Sequence, residues 1–368
     1  MNVPLVDLAL QHRSVRDEIE RGMALLFESS AYILGPEVTA FEREFADFQS
    51  VRHCVGVASG TDAIELLLRA HEIGSGDEVV IPANTFIATA LAVVRSGARP
   101  VLADCDADHH LLDPAAVLSV LSPRTRAILP VHLYGQIAPM EALQQNGPMR
   151  PMLLEDAAQA HGARRNGLMA GSFGDGAAMS FYPGKNLGAY GDAGAVLTNS
   201  DALAKRIRAL RNYGSEAKYE HDVIGFNSRL DAIQAVVLRA KLRRLAQWNA
   251  SRRAAAARYD ALLADVEQVV RPKTLAGNEH VWHLYVIRVP TRDVVWKKIR
   301  DAGIGAAVHY PRPIHLEGAM QHLGYRAGDF PVAERAASEI LSLPMFPEIT
   351  EEQQVRVVKS LKAALGEA

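Results

Sequence analysis

Two cysteines in 368 residues, Cys54 and Cys105, are too few and wrongly spaced for a disulfide framework or a zinc site. They read as small buried hydrophobes in a chain expected to work in a reducing cytoplasm. An excess of one charge is also missing: 40 basic against 42 acidic side chains give a formal net charge of −2. The chain as a whole therefore lacks the electrostatic footprint of a nucleic-acid binder, and any anion it holds must be held locally. No apolar run is long enough to span a bilayer. The start, Met1-Asn2-Val3-Pro4-Leu5-Val6-Asp7, has neither the basic cluster nor the long apolar core of a signal peptide, so neither membrane attachment nor export is expected. Two phosphate grammars are incomplete. Gly303-Ile304-Gly305-Ala306-Ala307-Val308 lacks the third small residue of a dinucleotide fingerprint, and Gly184-Lys185-Asn186 lacks the upstream glycine and the hydroxyl of a P-loop. Both gaps count against nicotinamide or ATP as cofactor.

What is present is an alternation. Between residues 50 and 200, strand-like apolar runs, turns and amphipathic helical runs repeat, as an α/β domain with a largely parallel sheet requires. The pattern predicts seven strands, near Val55-Ser59, Glu78-Ala83, Pro100-Asp104, Ala127-His132, Met152-Asp156, Ala177-Phe181 and Ala195-Thr198. Helices are predicted to start near Thr61, Phe86, Asp113 and Asp201. A long helical pattern from Ser228 to about Ala264 leads out of this unit. A smaller α+β unit follows, with a strand over His280-Val289, a helix over Val294-Ala302 and a closing helix from Glu351 to about Leu365. The boundary is placed near residue 245, giving a large domain over 1–245 and a small one over 246–368.

Three short stretches carry chemistry. Ser59-Gly60-Thr61-Asp62-Ala63 lies between a strand and a helix, where unpaired backbone N–H groups and the positive end of the helix dipole attract phosphate. The same residues also read as an ordinary helix cap, with Asp62 stabilising the first turn. Asp156 closes the apolar run Leu153-Leu154-Glu155-Asp156, at the strand end where open parallel sheets place ligands. It is either a carboxylate that keeps a pyridine nitrogen protonated or a capping acid in a polar loop. Gln159 and His161 follow it, each either at the same pocket or structural. Lys185 sits in Ser180-Phe181-Tyr182-Pro183-Gly184-Lys185-Asn186, ahead of the glycine-rich Gly188-Ala189-Tyr190-Gly191-Asp192-Ala193-Gly194. A lone lysine is a surface lysine by default. A phosphate turn, a carboxylate at a strand end and a lysine, in that order in one α/β domain, are the minimum equipment for pyridoxal-phosphate chemistry.

These stretches resemble the DegT/StrS group of pyridoxal-phosphate-dependent nucleotide-sugar aminotransferases, which have the aspartate-aminotransferase-like fold (PLP fold type I). The resemblance covers nearly the whole chain. It runs through Tyr32-Ile33-Leu34-Gly35-Pro36-Glu37-Val38, Ser59-Gly60-Thr61-Asp62-Ala63, Asn84-Thr85-Phe86-Ile87-Ala88-Thr89 and Glu155-Asp156-Ala157-Ala158-Gln159-Ala160-His161-Gly162. It continues through Ser180-Phe181-Tyr182-Pro183-Gly184-Lys185-Asn186, Gly191-Asp192-Ala193-Gly194 and Gly225-Phe226-Asn227-Ser228-Arg229-Leu230-Asp231, to His309-Tyr310-Pro311.

The resemblance implies that Gly60, Thr61 and Ser180 bind the cofactor phosphate, Phe86 stacks on its ring, Asp156 holds the pyridine nitrogen and Gln159 meets the ring hydroxyl. Lys185 would form the Schiff base, and Asn227 would reach the phosphate of a neighbouring subunit's cofactor, which implies a homodimer with shared active sites. Family members that dehydrate sugars replace the lysine with histidine, so Lys185 implies transamination, with L-glutamate as the expected donor. Arg211-Asn212-Tyr213-Gly214-Ser215-Glu216-Ala217-Lys218-Tyr219 resembles members that aminate carbon 3 of dTDP-linked 3-keto-6-deoxyhexoses. On that likeness Tyr182, Lys218, His309 and Tyr310 surround the nucleotide sugar, while Glu216 stands where relatives carry a basic residue. Arg229 either binds the donor's carboxylate or makes a structural ion pair. A 4-keto or UDP-linked sugar is the alternative substrate. From other classes, a non-catalytic pyridoxal-phosphate-bound regulator and a nucleotide-sugar binding protein remain. The basic run Arg239, Lys241, Arg243, Arg244, Arg252 and Arg253 reads either as a nucleic-acid surface or, by preference, as the solvated face of the long helix.

Overall fold

A computed structural model describes residues 2–145, 150–215, 217 and 219–366. The chain begins with two helices, α1 (Leu8–Ser29) and α2 (Gly35–Phe48), which the alternation between residues 50 and 200 does not cover. Then β1 (His53–Val57), α3 (Gly60–Ala70), β2 (Glu78–Pro82), α4 (Ile87–Ser96), β3 (Arg99–Ala103), α5 (Pro114–Val120), β4 (Thr125–Ile128), α6 (Met140–Leu143) and β5 (Met152–Asp156) follow. A small hairpin, β6 (Arg164–Arg165) and β7 (Leu168–Met169), precedes β8 (Gly176–Ser180), β9 (Gly194–Thr198) and α7 (Asp201–Leu210). The long helix is α8 (Ala232–Leu262), about 46 Å at 1.5 Å per residue. Beyond it lie β10 (Asn278–Glu279), β11 (Tyr285–Arg288), α9 (Arg292–Asp301), α10 (Pro331–Glu339), β12 (Ile340–Leu343) and α11 (Glu351–Leu365).

Seven strands form one sheet in the order β1-β9-β8-β5-β4-β2-β3. All run parallel except β9, which pairs antiparallel with both β1 and β8. One apolar core lies between the sheet and α2 and α8, with Phe41, Phe45, Phe181 and Leu245 buried in it. A second lies on the opposite face under α3, α4 and α7. Strands buried on both faces explain the near-continuous apolar runs in the sequence.

The smaller unit is built on the β11–β12 pair with α9 and α11. The strand expected over residues 280–289 is shorter because Trp282 has a positive φ of 46° and its ring stacks on His280, which breaks the ladder. The N-terminus also belongs to this unit. Val3 is buried in its core and bridges Ile304, and Met345 N donates to Leu5 O at 3.0 Å. We propose the boundary within α8, whose residues up to Leu245 pack in the large core and those from Ala255 onward in the small one.

The basic run on α8 is solvated only in part. Lys241 and Arg252 are 1% and 2% exposed. Arg239 pairs with Glu37 and Glu44, Arg243 and Arg244 with Glu18, and Arg253 with Glu279. Lys241 and Arg252 thus point into the interior, whereas Arg243 and Arg244 are exposed and form the solvated part of the run. Among the described residues no helix is long and apolar enough to cross a membrane.

Candidate active site

The carboxyl ends of β1, β2, β5 and β8 open into one cavity of about 580 Å³, the location that parallel sheets favour for ligands. Gly60, Thr61, Phe86, Asp156, Gln159, Ser180, Tyr182, Lys185, His309 and Tyr310 all line it. Asn227 and Arg229 do not. Asn227 is exposed, and Arg229 bonds Asn212 at 3.1 Å and lies over the Tyr213 ring. Lys218 and Glu216 fall outside the described residues.

At one end of the cavity α3 begins. Ser59 is its cap, with Oγ accepting from Asp62 N at 3.1 Å, so the capping role belongs to Ser59. Asp62 is occupied elsewhere: it accepts from Ser228 Oγ at 2.8 Å and pairs with Arg95. The first backbone N–H groups of α3 are thereby left to face the cavity at the positive end of the helix dipole. A Cβ on Gly60 would sit 2.6 Å from Ser180 Cβ, so glycine here lets the two loops close into a single anion cradle.

Asp156, in the wall of the same cavity, is 4% exposed. Its Oδ2 accepts from Thr89 Oγ1 at 2.8 Å and its Oδ1 from Ala158 N at 3.2 Å. Burial raises its pKa, while the Thr89 hydroxyl, the Ala158 N–H and the charge of Lys185 pull the other way. Among the described residues no cation is bonded to it, so a protonated ring nitrogen would supply the missing partner. The acid and the cradle together fit pyridoxal phosphate.

Lys185 lines the same cavity, and its backbone N–H closes a turn onto Tyr182 O at 2.8 Å. Burial lowers its pKa to about 8 against the opposing pull of Asp156, which raises the neutral, nucleophilic share of the amine at pH 7 to about a tenth, far above that of an ordinary lysine. Gln159 is oriented by its neighbours: Oε1 accepts from Tyr134 N at 2.6 Å, and Nε2 donates to Tyr310 Oη at 3.1 Å, leaving one N–H for a ligand. Phe86 and Tyr310 lie 5.0 Å apart, centroid to centroid. His309 bonds Ser342 Oγ at 2.8 Å, and burial together with the Lys185 charge lowers its pKa to about 4, so the ring is neutral. His161 lies outside the cavity wall; its Nε2 donates to Ser180 O at 2.9 Å, which supports the cradle from behind.

Thr89, Leu5, Val6 and His283 also line the cavity, and sequence reasoning missed all four. A signal existed for Thr89, three residues after Phe86 and so on the same helical face. None existed for Leu5 and Val6, which arrive through pairing of the N-terminus with the small unit.

The family model "DegT/DnrJ/EryC1/StrS aminotransferase family" matches residues 14–362. The erythromycin biosynthesis sensory transduction protein EryC1 of Saccharopolyspora erythraea is 49% identical over 99% of this chain and 100% of its own length. The dTDP-3-amino-3,4,6-trideoxy-alpha-D-glucose transaminase of Streptomyces venezuelae is 45% identical, covering 98% of this chain and 95% of its own. The UDP-N-acetyl-3-dehydro-alpha-D-glucosamine 3-aminotransferase of Acidithiobacillus ferrooxidans is 45% identical over 99% and 98%. Among solved structures, S. venezuelae DesV in complex with a ketimine intermediate superposes with a TM-score of 0.94, at 44% identity over 98% of both chains. Bacillus subtilis NtdA with bound cofactor PMP superposes with a TM-score of 0.88, at 30% identity over 98% of this chain and 83% of that one.

Proposed function

The chain belongs to the DegT/DnrJ/EryC1/StrS aminotransferase family, with pyridoxal phosphate as its cofactor, and from that premise we propose that it aminates carbon 3 of a dTDP-linked 3-keto-6-deoxyhexose, taking the amino group from L-glutamate. The observation that carries the reading is the convergence of Lys185 and Asp156 on one cavity beside a glycine-opened helix N-terminus. The choice of carbon 3 is supported by two relatives whose names place their chemistry there; those names differ in the nucleotide, dTDP in one and UDP in the other, at equal identity.

Bound, the cofactor supplies a conjugated electron sink that stabilises negative charge at the reacting carbon. Gly60, Thr61 and Ser180 would hold its phosphate, and Asp156 its ring nitrogen, with Thr89 fixing the carboxylate's direction. Gln159 would donate to the ring hydroxyl, and Phe86 would cover a ring face. Lys185 would anchor the cofactor through its amine and, once released, would move a proton between the substrate carbon and the cofactor's C4′ in each half-reaction, a task suited to an amine whose pKa lies near the working pH. Tyr182, His309 and Tyr310 line the same cavity and would contact the nucleotide sugar. The two half-reactions share one site, so kinetics should be ping-pong.

A homodimer with shared sites belongs to the same proposal. Asn227 and Arg229 lie off their own chain's cavity, and the exposed Val223 and Ile224 nearby form apolar surface suited to a second copy. Lys218 and Asn227 of that copy would then complete each site. Co-expression of a Lys185→Ala chain with an Asn227→Ala chain tests this, since only shared sites give partial complementation.

The function is tested by assaying purified protein with glutamate against dTDP- and UDP-linked 3-keto and 4-keto sugars. Turnover confined to 3-keto substrates is expected; preference for a 4-keto sugar overturns the carbon assignment. Salt-sensitive DNA binding without amino transfer, or nucleotide-sugar binding without a cofactor absorbance that depends on Lys185, would replace the enzyme reading altogether.

A further inference from the structure

An acid stands in the turn assigned above to the cofactor's phosphate. Within that first turn of α3, Ser59 consumes two of the backbone donors, its Oγ accepting from Asp62 N at 3.1 Å and its carbonyl from Ala63 N at 3.0 Å. Among the described residues nothing bonds the N–H of Gly60 or Thr61, and both residues line the cavity. Those two donors are therefore the ones left for an anion. Asp62 follows them directly in the chain, and an unpaired carboxylate there would repel a phosphate dianion.

The carboxylate is not left unpaired. Its Oδ1 accepts from Arg95 Nη2, on α4, at 3.2 Å, and its Oδ2 accepts from Ser228 Oγ at 2.8 Å. Ser228 is 3% exposed, and its oxygen also accepts from Ala58 N at 3.2 Å, so one hydroxyl ties together residues 58 and 62 on the two sides of the cradle turn. Arg95 pairs as well with Glu65 Oε2 at 2.7 Å, and Glu65 pairs in turn with Arg69 at 2.9 Å. Two acids thus balance two arginines on this side of α3. The Asp62 side chain is 21% exposed, so water screens its charge only in part and the guanidinium does the rest. An acid at this position also favours the helix through the same dipole that attracts an anion, which gives the chain a reason to keep it and a need to neutralise it.

We propose that Arg95 and Ser228 are positioning residues for the cofactor phosphate, acting through Asp62: they fix and neutralise its carboxylate, so that the Gly60 and Thr61 N–H groups meet a dianion without a competing negative charge. The proposal rests on the phosphate site set out above. Arg95, Ser228 and Asp62 do not line the cavity, so their effect reaches the cofactor through charge and through the shape of the turn rather than by contact.

Affinity should follow the net charge of the Asp62–Arg95 pair. The full-length chain, freed of cofactor, is titrated with pyridoxal phosphate and in parallel with pyridoxal, which offers the same aldehyde and ring without the phosphate. Arg95→Gln is expected to weaken pyridoxal phosphate binding about three- to tenfold and to leave pyridoxal binding within about twofold of the wild type. Ser228→Ala is expected to weaken the first ligand and spare the second in the same way. Asp62→Asn keeps an acceptor for Ser228 and removes the charge, so it should bind pyridoxal phosphate at least as tightly as the wild type. Arg95→Gln combined with Asp62→Asn should return to within about twofold of the wild type, because the partners act on one another. Unchanged pyridoxal phosphate binding in Arg95→Gln, equal weakening of both ligands in Arg95→Gln or Ser228→Ala, or a double variant no better than Arg95→Gln alone overturns the proposal. Arg95 is half exposed, so its variant folds even where the buried Ser228 does not tolerate change. A wild type that binds pyridoxal as tightly as pyridoxal phosphate removes the phosphate site itself, and the proposal with it; that failure is told apart because it shows before any residue is replaced.

Discussion

Thr89 Oγ1 donates a 2.8 Å hydrogen bond to Asp156 Oδ2, joining the first turn of α4 to the carboxyl end of β5 inside the cavity. Thr89 is in turn bonded to Thr85 Oγ1 at 2.9 Å, so the acid's direction is set from the adjacent strand-to-helix connection. Thr89→Val keeps the shape and removes the donor, leaving a buried acceptor short of one partner. The expected cost is about 1–3 kcal/mol in cofactor binding, read by fluorescence titration; Asp156→Asn is expected to lower kcat by about 10²-fold. Wild-type turnover in Asp156→Asn would contradict the role given to the acid.

Lys185→Ala removes the amine without disturbing the packed sheet. Loss of the Lys185-dependent cofactor absorbance is expected, with turnover down by about 10²–10⁴-fold and an unfolding midpoint no lower than the wild type's. In the wild type, the step in which the released amine takes a proton should speed up as pH rises through about 8, since the amine is the base only above its pKa. A rate that falls over that interval would point to another base.

His161, His280 and His283 are kept neutral by burial, with pKa values of about 3, about 3 and well below the usual one. Their folded values lie below the unfolded value, so the unfolded chain takes up protons first as the medium acidifies. The stability they contribute is whole above about pH 6.5 and is lost progressively toward pH 3, with a slope of up to about 1.4 kcal/mol per pH unit for each group. Urea unfolding of the cofactor-free protein should show a midpoint that declines between pH 7 and pH 5. A flat profile would mean that these rings are solvated.

Gly60→Ala would place a methyl 2.6 Å from Ser180 Cβ, between two loops that cannot part without opening the phosphate cradle. Overpacking by about 1–3 kcal/mol and at least a roughly tenfold loss of cofactor affinity are expected, measured by thermal melting and cofactor titration. Gly318→Ala, where nothing lies within 4 Å, is the control and should change stability by less than about 0.5 kcal/mol. Equal effects at the two positions would argue against the cradle.

Much of the molecule was legible in the amino-acid order. The apolar runs ending at Val57, Asp156 and Ser180 are local features, and the strand ends of an open sheet place ligands, so Gly60, Asp156 and Lys185 could be named together beforehand, while Phe86 was named only through the family resemblance. Lys241 and Arg252 on α8 were misread for the complementary reason. Alternation of Arg and Lys with alanine looks like a wet helix, yet Lys241 donates to Gly188 O at 2.7 Å in the interior, a pairing between residues 53 apart.

The sequence alone pointed to the class of chemistry and to the residues proposed to carry it, because backbone periodicity and the identity of a lysine and an acid are properties of short stretches. Only the tertiary structure decided that Thr89 aims the acid and that Leu5 and Val6 wall the cavity. Those facts rest on hydrogen-bond direction and packing between segments far apart in the chain, where no local pattern records which partner will be met.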